Sequence, residues 1–280
     1  MIQRSYDEKP TLFIVPTPIG NLEDITLRSI NTLKSVDIIF CEDTRVTLSL
    51  LNHYKIKKHL IPLHKFNEES NSNKLLSFLK EGKSIALVSD RGTPILSDPG
   101  NISVNKVIEE GYNVVSLPGA TAAIPALTSS GLNCDRFLFY GFLESKSSKR
   151  KRELLKLKNF KYSIIFYEAP HRIKEMLNDI IDIFGDRNLS VSREISKKYE
   201  EVYRGKCSQI LDEIVDKGEF VVVVDGSKEE IDFNSLSIQE HVAIYIGEGY
   251  TENDAIKQVA KDRKVRKNDI YKEVKLFPGK

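Results

Sequence analysis

The chain has 280 residues, 40% of them hydrophobic and 29% charged, with a formal net charge of +2. That length accommodates two domains with ample core. So small a charge excludes whole-molecule attraction to nucleic acid and leaves local patches as the basis for any such binding.

Cys41, Cys134 and Cys207, odd in number and far apart, suggest neither a disulfide framework nor a zinc site and fit a reducing, cytoplasmic setting. No apolar run approaches the roughly 20 residues of a membrane span. The polar stretch MIQRSYDEKP, carrying both charge signs, does not read as a signal peptide. Short β-rich runs then recur at Thr11–Val15, Val36–Phe40, Ile85–Ser89 and Asn113–Leu117. Between them, Ile25, Leu27, Ile30, Leu33 and Val36 fall at helical spacing, as do Leu75, Leu76 and Leu79 within Ser72–Leu79. This alternation predicts an α/β domain over residues 1–119, with a mostly parallel sheet covered on both faces.

Past LPGATAAIPALTSSGL the pattern changes to strand-like RFLFYGFL, YSIIFYEAP, NLSVSREIS and GEFVVVVDG, with helical spacing over Ile173–Phe184 and Gln209–Lys217. A second α/β domain with some antiparallel pairing is expected over 120–230, followed by a linker in the acidic SKEEIDFNS. Residues 231–280 read as three short helices, one N-capped by Thr251 and carrying the apolar stripe Ala255, Ile256, Val259 and Ala260.

Three loops stand at strand ends, where parallel sheets gather ligands: PTPIGN (Pro16–Asn21), VSDRGTPILSDPG (Val88–Gly100) and LPGATAA (Leu117–Ala123). Each places proline and glycine where the chain leaves the sheet, fixing φ or letting the backbone approach a ligand closely. Thr121 is positioned to cap a following helix or to touch a ligand. One such loop is an ordinary βα turn, whereas three in one domain point to a small-molecule cleft. No P-loop, G-x-G-x-x-G, G-x-S-x-G or metal-ligand spacing is present in the sequence.

VPTPIGNLEDITLRSI, EDTR, VSDRGTPILSDPG, LPGATAA, FYEAPHR and SREISKKYEE occur in this order and at suitable intervals. Together they resemble the ribosomal RNA small-subunit methyltransferase I family, cytidine 2′-O-methyltransferases of the tetrapyrrole-methylase superfamily, and the resemblance covers essentially the whole chain. It implies two consecutive α/β domains with S-adenosyl-L-methionine in the cleft between them, a small C-terminal helical module, and a homodimer. The substrate implied is a cytidine ribose in the decoding centre of 16S rRNA, met as free RNA or as the 30S subunit. By motif, cofactor contacts fall on Pro18, Ile19 and Gly20, on Thr93 and Leu96, on Thr121 and Ala122, and in the second domain on Glu168 and Ser196. Arg91 stands where the family usually has a small residue. It is expected to reach a carboxylate such as Asp90 or Asp98, to face RNA phosphate, or to crowd the cleft.

A ribose hydroxyl is a weak nucleophile, so alignment and a positioned base are the needs of the reaction. The motif residues that qualify are Asp24, Glu42, Asp43, Asp90, His171, Glu194 and Lys197. Plainer roles compete with these. Asp43 or Thr44 is placed to cap a helix, Glu194 to pair with Arg193, His171 to pack at a helix start, and Lys197 to be a solvated surface lysine. RNA contacts are sought in Lys146–Lys158, with seven basic residues and one acid, where Lys149, Arg150, Lys151 and Arg152 cluster; a solvated, mobile loop is the plainer reading. Arg172 suits phosphate or carboxylate, and Arg266 and Lys267 end a second basic run in the tail. A tetrapyrrole C-methyltransferase, a diphthine synthase, or a non-catalytic nucleic-acid-binding protein with a degenerate cleft are the competing readings.

Overall fold

The computed structural model describes residues 3, 9–228, 236–247 and 249–276. Most of the expected linker SKEEIDFNS, and most of the first ten residues, lie outside them. The first sheet is built from β1 (Thr11–Ile14), β2 (Ile38–Cys41), β3 (His59–Pro62), β4 (Ile85–Val88) and β5 (Asn113–Ser116). All pairs are parallel and the order is β3-β2-β4-β1-β5. Between them run α1 (Leu27–Ser35), α2 (Thr44–His53), α3 (Glu68–Lys80) and α4 (Asn101–Glu109).

The central strands explain their own sequence. In β2, Ile39 and Cys41 join one core while Ile38 and Phe40 join the core on the opposite face. In β4, Ala86 and Val88 divide from Ile85 and Leu87 in the same way. A strand buried on both faces has no polar alternation, so it reads as a continuous apolar run.

The second sheet comprises β6 (Phe137–Phe142), β7 (Ser163–Glu168), β8 (Asn188–Arg193), β9 (Glu201–Lys206) and β10 (Phe220–Val224), in the order β6-β7-β10-β8-β9. Only β6 and β7 are parallel, and β10 runs antiparallel to both its neighbours, with Phe220 opposite Glu168 and Arg193. One face carries α6 (Ser147–Leu157), α7 (Ile173–Phe184) and α8 (Cys207–Glu213), and the other packs on α5 (Ala123–Ser129). Because β10 is reversed, its start lies beside the end of β7, so both contribute to the same edge of the sheet.

Two local expectations are corrected here. Thr121 does not cap α5, whose N-cap is Ala122 and which has no side-chain cap bond. The basic run is not a loop but α6, and Arg150 is not an RNA-facing residue. Its side chain is 0% exposed, with Nε donating to Asp179 at 2.6 Å and Nη1 to the Ser145 carbonyl at 3.1 Å. Arg150 and Leu154 are the buried residues of α6, and Arg150 there meets the acids of α7.

Residues Met1–Ser227 form one compact unit and Lys228–Lys280 a second. The second unit contains α9 (Ile238–Gly247), α10 (Glu252–Asp262) and α11 (Lys267–Leu276). They close over Val242, Ala255, Ile256, Val259, Ala260 and Ile270, and Thr251 accepts the N-capping bond from the Asp254 N–H. No helix among the described residues is long and apolar enough to cross a membrane.

Candidate active site

The three strand-end loops are laced to one another. Thr17 and Gly92 exchange two backbone hydrogen bonds, at 2.9 and 3.0 Å. The Thr17 hydroxyl donates to the Ser89 carbonyl at 3.1 Å, and the Thr93 hydroxyl to the Ala120 carbonyl at 2.9 Å. Gly119 is required by the same packing, since a Cβ there would lie 2.5 Å from Pro16 Cβ.

The middle loop folds back through left-handed conformations at Ile95 (φ 75°) and Ser97 (φ 74°) before Gly100 (φ 130°). Such geometry at a non-glycine residue costs on the order of 1 kcal/mol or more and persists only where surroundings enforce it. Glu68 is one enforcer. Its carboxylate accepts the Gly100 and Ile102 N–H groups at 2.9 Å each, fixing the start of α4. The density of proline, glycine and aspartate in VSDRGTPILSDPG thus makes a rigid ledge rather than a surface turn.

Against this ledge stands a cavity of about 360 Å³, near the lower end of the roughly 300–1,000 Å³ of small-molecule sites. The first sheet supplies Ile19, Arg91, Thr93, Leu96, Asp98, Thr121 and Ala122, and the second supplies Phe142, Tyr167, Glu168, Ile195, Glu219 and Val221. Glu168 is 0% exposed, and its Oε1 receives Arg172 at 2.6 Å and the Ala169 N–H at 2.7 Å. Its Oε2 is buried with no hydrogen-bond partner among the described residues, an acceptor that a donor on a bound molecule can satisfy. Thr121 and Tyr167 hydroxyls meet at 3.5 Å across the two halves.

A second cavity, of about 520 Å³, is lined by Pro18, Gly20, Thr47, His53, Asp90, Arg91 and Lys197 among others. Asp90 accepts the Asp43 N–H at 2.9 Å. Lys197 donates to Glu194 at 2.8 Å and Glu219 at 2.9 Å, so it is engaged by two carboxylates and is not a free surface lysine. Lys197 also covers Gly20, where a Cβ would lie 2.4 Å from Lys197 Cγ. Arg91 lies on the wall of both cavities. It pairs with neither Asp90 nor Asp98 but with Glu219 of the other sheet, and so leaves the cleft open.

The candidate residues therefore separate. Ile19, Thr93, Leu96, Thr121, Ala122 and Glu168 face the smaller cavity, while Pro18, Gly20, Asp90 and Lys197 face the larger. Ser196 lines neither; its hydroxyl binds the Asp24 carboxylate and its N–H donates to Glu200 at 2.6 Å. Asp43 is the N-cap of α2, accepting the Arg45 N–H at 2.8 Å. The hydrogen bonds from the Arg45 side chain and backbone hold its carboxyl down at about 2. Glu194 pairs with Lys197, not with Arg193, which binds Glu201. The bond from Lys197 holds the Glu194 carboxyl below its ordinary value. His171 is exposed and outside both cavities. Arg172 turns inward onto Glu168 rather than outward toward phosphate. Lys149, Arg152, Arg266 and Lys267 are exposed, Lys149 lying 3.6 Å from Glu144, and Lys151 is engaged by Asp182 at 2.6 Å.

Asp98, Tyr167, Phe142 and Glu219 were not among the residues selected from sequence as cofactor contacts or catalytic groups. Asp98 lies inside the quoted SDPG segment, which was its available signal. Burial, then Glu42 and Asp90 as like charges, push its carboxyl up to about 6. Burial likewise raises Glu42.

Residues 11–211 match the family model described as tetrapyrrole (corrin/porphyrin) methylases. The ribosomal RNA small subunit methyltransferase I of Bacillus subtilis (strain 168) is 49% identical over 93% of this chain and 92% of its own length. The protein of the same name from Halalkalibacterium halodurans is 46% identical over 96% and 97%. Among solved structures, uroporphyrin-III C-methyl transferase from Thermus thermophilus complexed with S-adenyl homocysteine superposes with a TM-score of 0.55. It is 16% identical, with 76% of this chain and 96% of that one covered, a likeness of fold. The two mixed α/β halves and the cleft between them are those of a tetrapyrrole methylase. Within that class the chain belongs to the ribosomal RNA small subunit methyltransferase I family.

Proposed function

We propose that this protein uses S-adenosyl-L-methionine to methylate the 2′-hydroxyl of a cytidine ribose in the decoding centre of 16S rRNA, as a homodimer in the cytoplasm. The observation that carries the reading is the smaller cavity, where three laced loops face a buried Glu168 oxygen lacking a partner. Such an oxygen suits a hydroxyl, amino or ammonium donor, all of which the cofactor has. Leu96, Ile195, Phe142 and Val221 offer apolar surface to its adenosine, and Thr121 and Ala122 close one side. When bound, the cofactor supplies an electrophilic methyl group on a sulfonium.

The chain's own work is placement and proton handling. The larger cavity takes the ribose, and Asp90 is the carboxylate there that accepts the hydroxyl proton, worth about 10²–10⁴-fold. Lys197, held by Glu194 and Glu219, favours the oxygen as it gains negative charge. The exposed cations Lys149, Arg152, Arg266 and Lys267 serve the RNA backbone. A degenerate, non-catalytic cleft is disfavoured because Arg91 binds Glu219 and does not fill the space.

Primer extension at low nucleotide concentration on 16S rRNA from cells lacking the gene tests the proposal. One 2′-O-methyl-dependent stop in the decoding region should vanish and return on complementation. An unchanged pattern of stops would overturn the assignment.

A further inference from the structure

The smaller cavity has an unbalanced electrostatic wall. Asp98 lines it and has no ion pair among the described residues, while its charged neighbours Glu42 and Asp90 share its sign. The cations nearby are committed elsewhere, Arg91 to Glu219 and Arg172 to Glu168. Asp98 thus stands on the cavity wall without a cation of the protein paired to it among the described residues. The occupant is independently marked by the unpartnered Glu168 Oε2.

We propose that Asp98 is the residue by which this cavity prefers a cationic methyl donor over the neutral thioether that remains after transfer. The inference rests on the cofactor reading above. Before transfer, the donor sulfonium carries a positive charge that a carboxylate at close range in a low-dielectric site favours. Transfer moves the methyl to the acceptor oxygen, and the carbon–sulfur bonding pair returns to sulfur, leaving it uncharged. The attraction ends there, and Asp98 is again flanked by the like charges of Glu42 and Asp90. Charge selection of this kind loads the cavity with donor and speeds departure of product without any moving part.

The groups bearing on Asp98 are Glu42 from the end of β2, Asp90 and the Ser89 hydroxyl from its own segment, and Tyr167 from the end of β7. Arg91, Glu168 and Glu219 share the cavity wall. With its carboxyl titrating at about 6, Asp98 is neutral below that pH and charged above it. Donor affinity should therefore rise as pH increases through that range, while product affinity stays flat. The same displacement has a cost in the free protein. The folded state holds a proton that the unfolded chain releases near the ordinary value of 3.8, so stability falls between there and about 6 and stays lower above.

The test is calorimetric titration of S-adenosylmethionine and S-adenosylhomocysteine into the full chain and into Asp98→Asn at pH 5 and 8. At pH 8 the substitution should weaken the donor about tenfold and the product less than twofold. It should also raise the melting temperature of the ligand-free protein at that pH, and the wild-type preference for donor should shrink at pH 5. Equal weakening of both ligands, or a wild-type preference independent of pH, would overturn the proposal. If the wild type binds neither ligand, the cofactor reading itself falls.

Discussion

The two cavities share Arg91 and little else. The smaller is walled by backbone ledges and apolar side chains, with its charge confined to Asp98, Glu168, Arg91 and Glu219. The larger carries Asp90, Arg91, Lys197 and His53 together with the hydroxyl-bearing Thr17, Thr47, Ser49 and Ser89. A preformed, largely apolar slot suits a small molecule held in one orientation. A polar, cation-bearing hollow suits a nucleotide that arrives attached to a long anion. On the function proposed above, donor and acceptor approach from different cavities and meet where the two adjoin, at the wall that Arg91 shares.

The largest expected effect comes from damaging the smaller chamber. Glu168→Ala leaves Arg172 half-buried and unpaired. It should lower unfolding free energy by on the order of 3–5 kcal/mol in a urea titration and abolish cofactor binding. Unchanged binding would remove Glu168 from the donor chamber. Lys197→Met addresses the other chamber, where kcat for RNA methylation should fall about 10²–10³-fold with cofactor Kd within twofold. A matching loss of cofactor affinity would show that the chambers are not separate. The smallest change is expected at the shared wall. Arg91→Ala breaks a half-exposed ion pair, which is worth at most about 1 kcal/mol of stability. A larger drop in the urea midpoint would make the bridge a structural clamp.

Legibility in the sequence followed burial. The buried central strands β2, β4 and β10 announced themselves as apolar runs, whereas β3 and β9 did not. Both lie at sheet edges and are partly exposed, so EVYRGK and HLIP carry little hydrophobic pattern, and Pro62 weakens the latter further. The strand-end loops were readable because proline and glycine mark backbone geometry directly. Glu219 was not, since its meeting with Arg91 and Lys197 depends on the reversed direction of β10. Arg150 misled because a basic residue in a basic run looks solvent-facing. The corrective signal was present in Glu175, Asp179 and Asp182, an acidic row at helical spacing on α7 that faces α6.

The reciprocal pair between Thr17 and Gly92 has a consequence for how the site comes into being. Those residues follow β1 and β4, adjacent strands brought together from distant parts of the chain, so their two bonds form only after that long-range pairing is complete. Their amide protons should consequently exchange with solvent at the rate of whole-unit opening rather than of loop fraying. A methyl donor bound above them would then slow deuterium uptake throughout the unit, not merely beside itself.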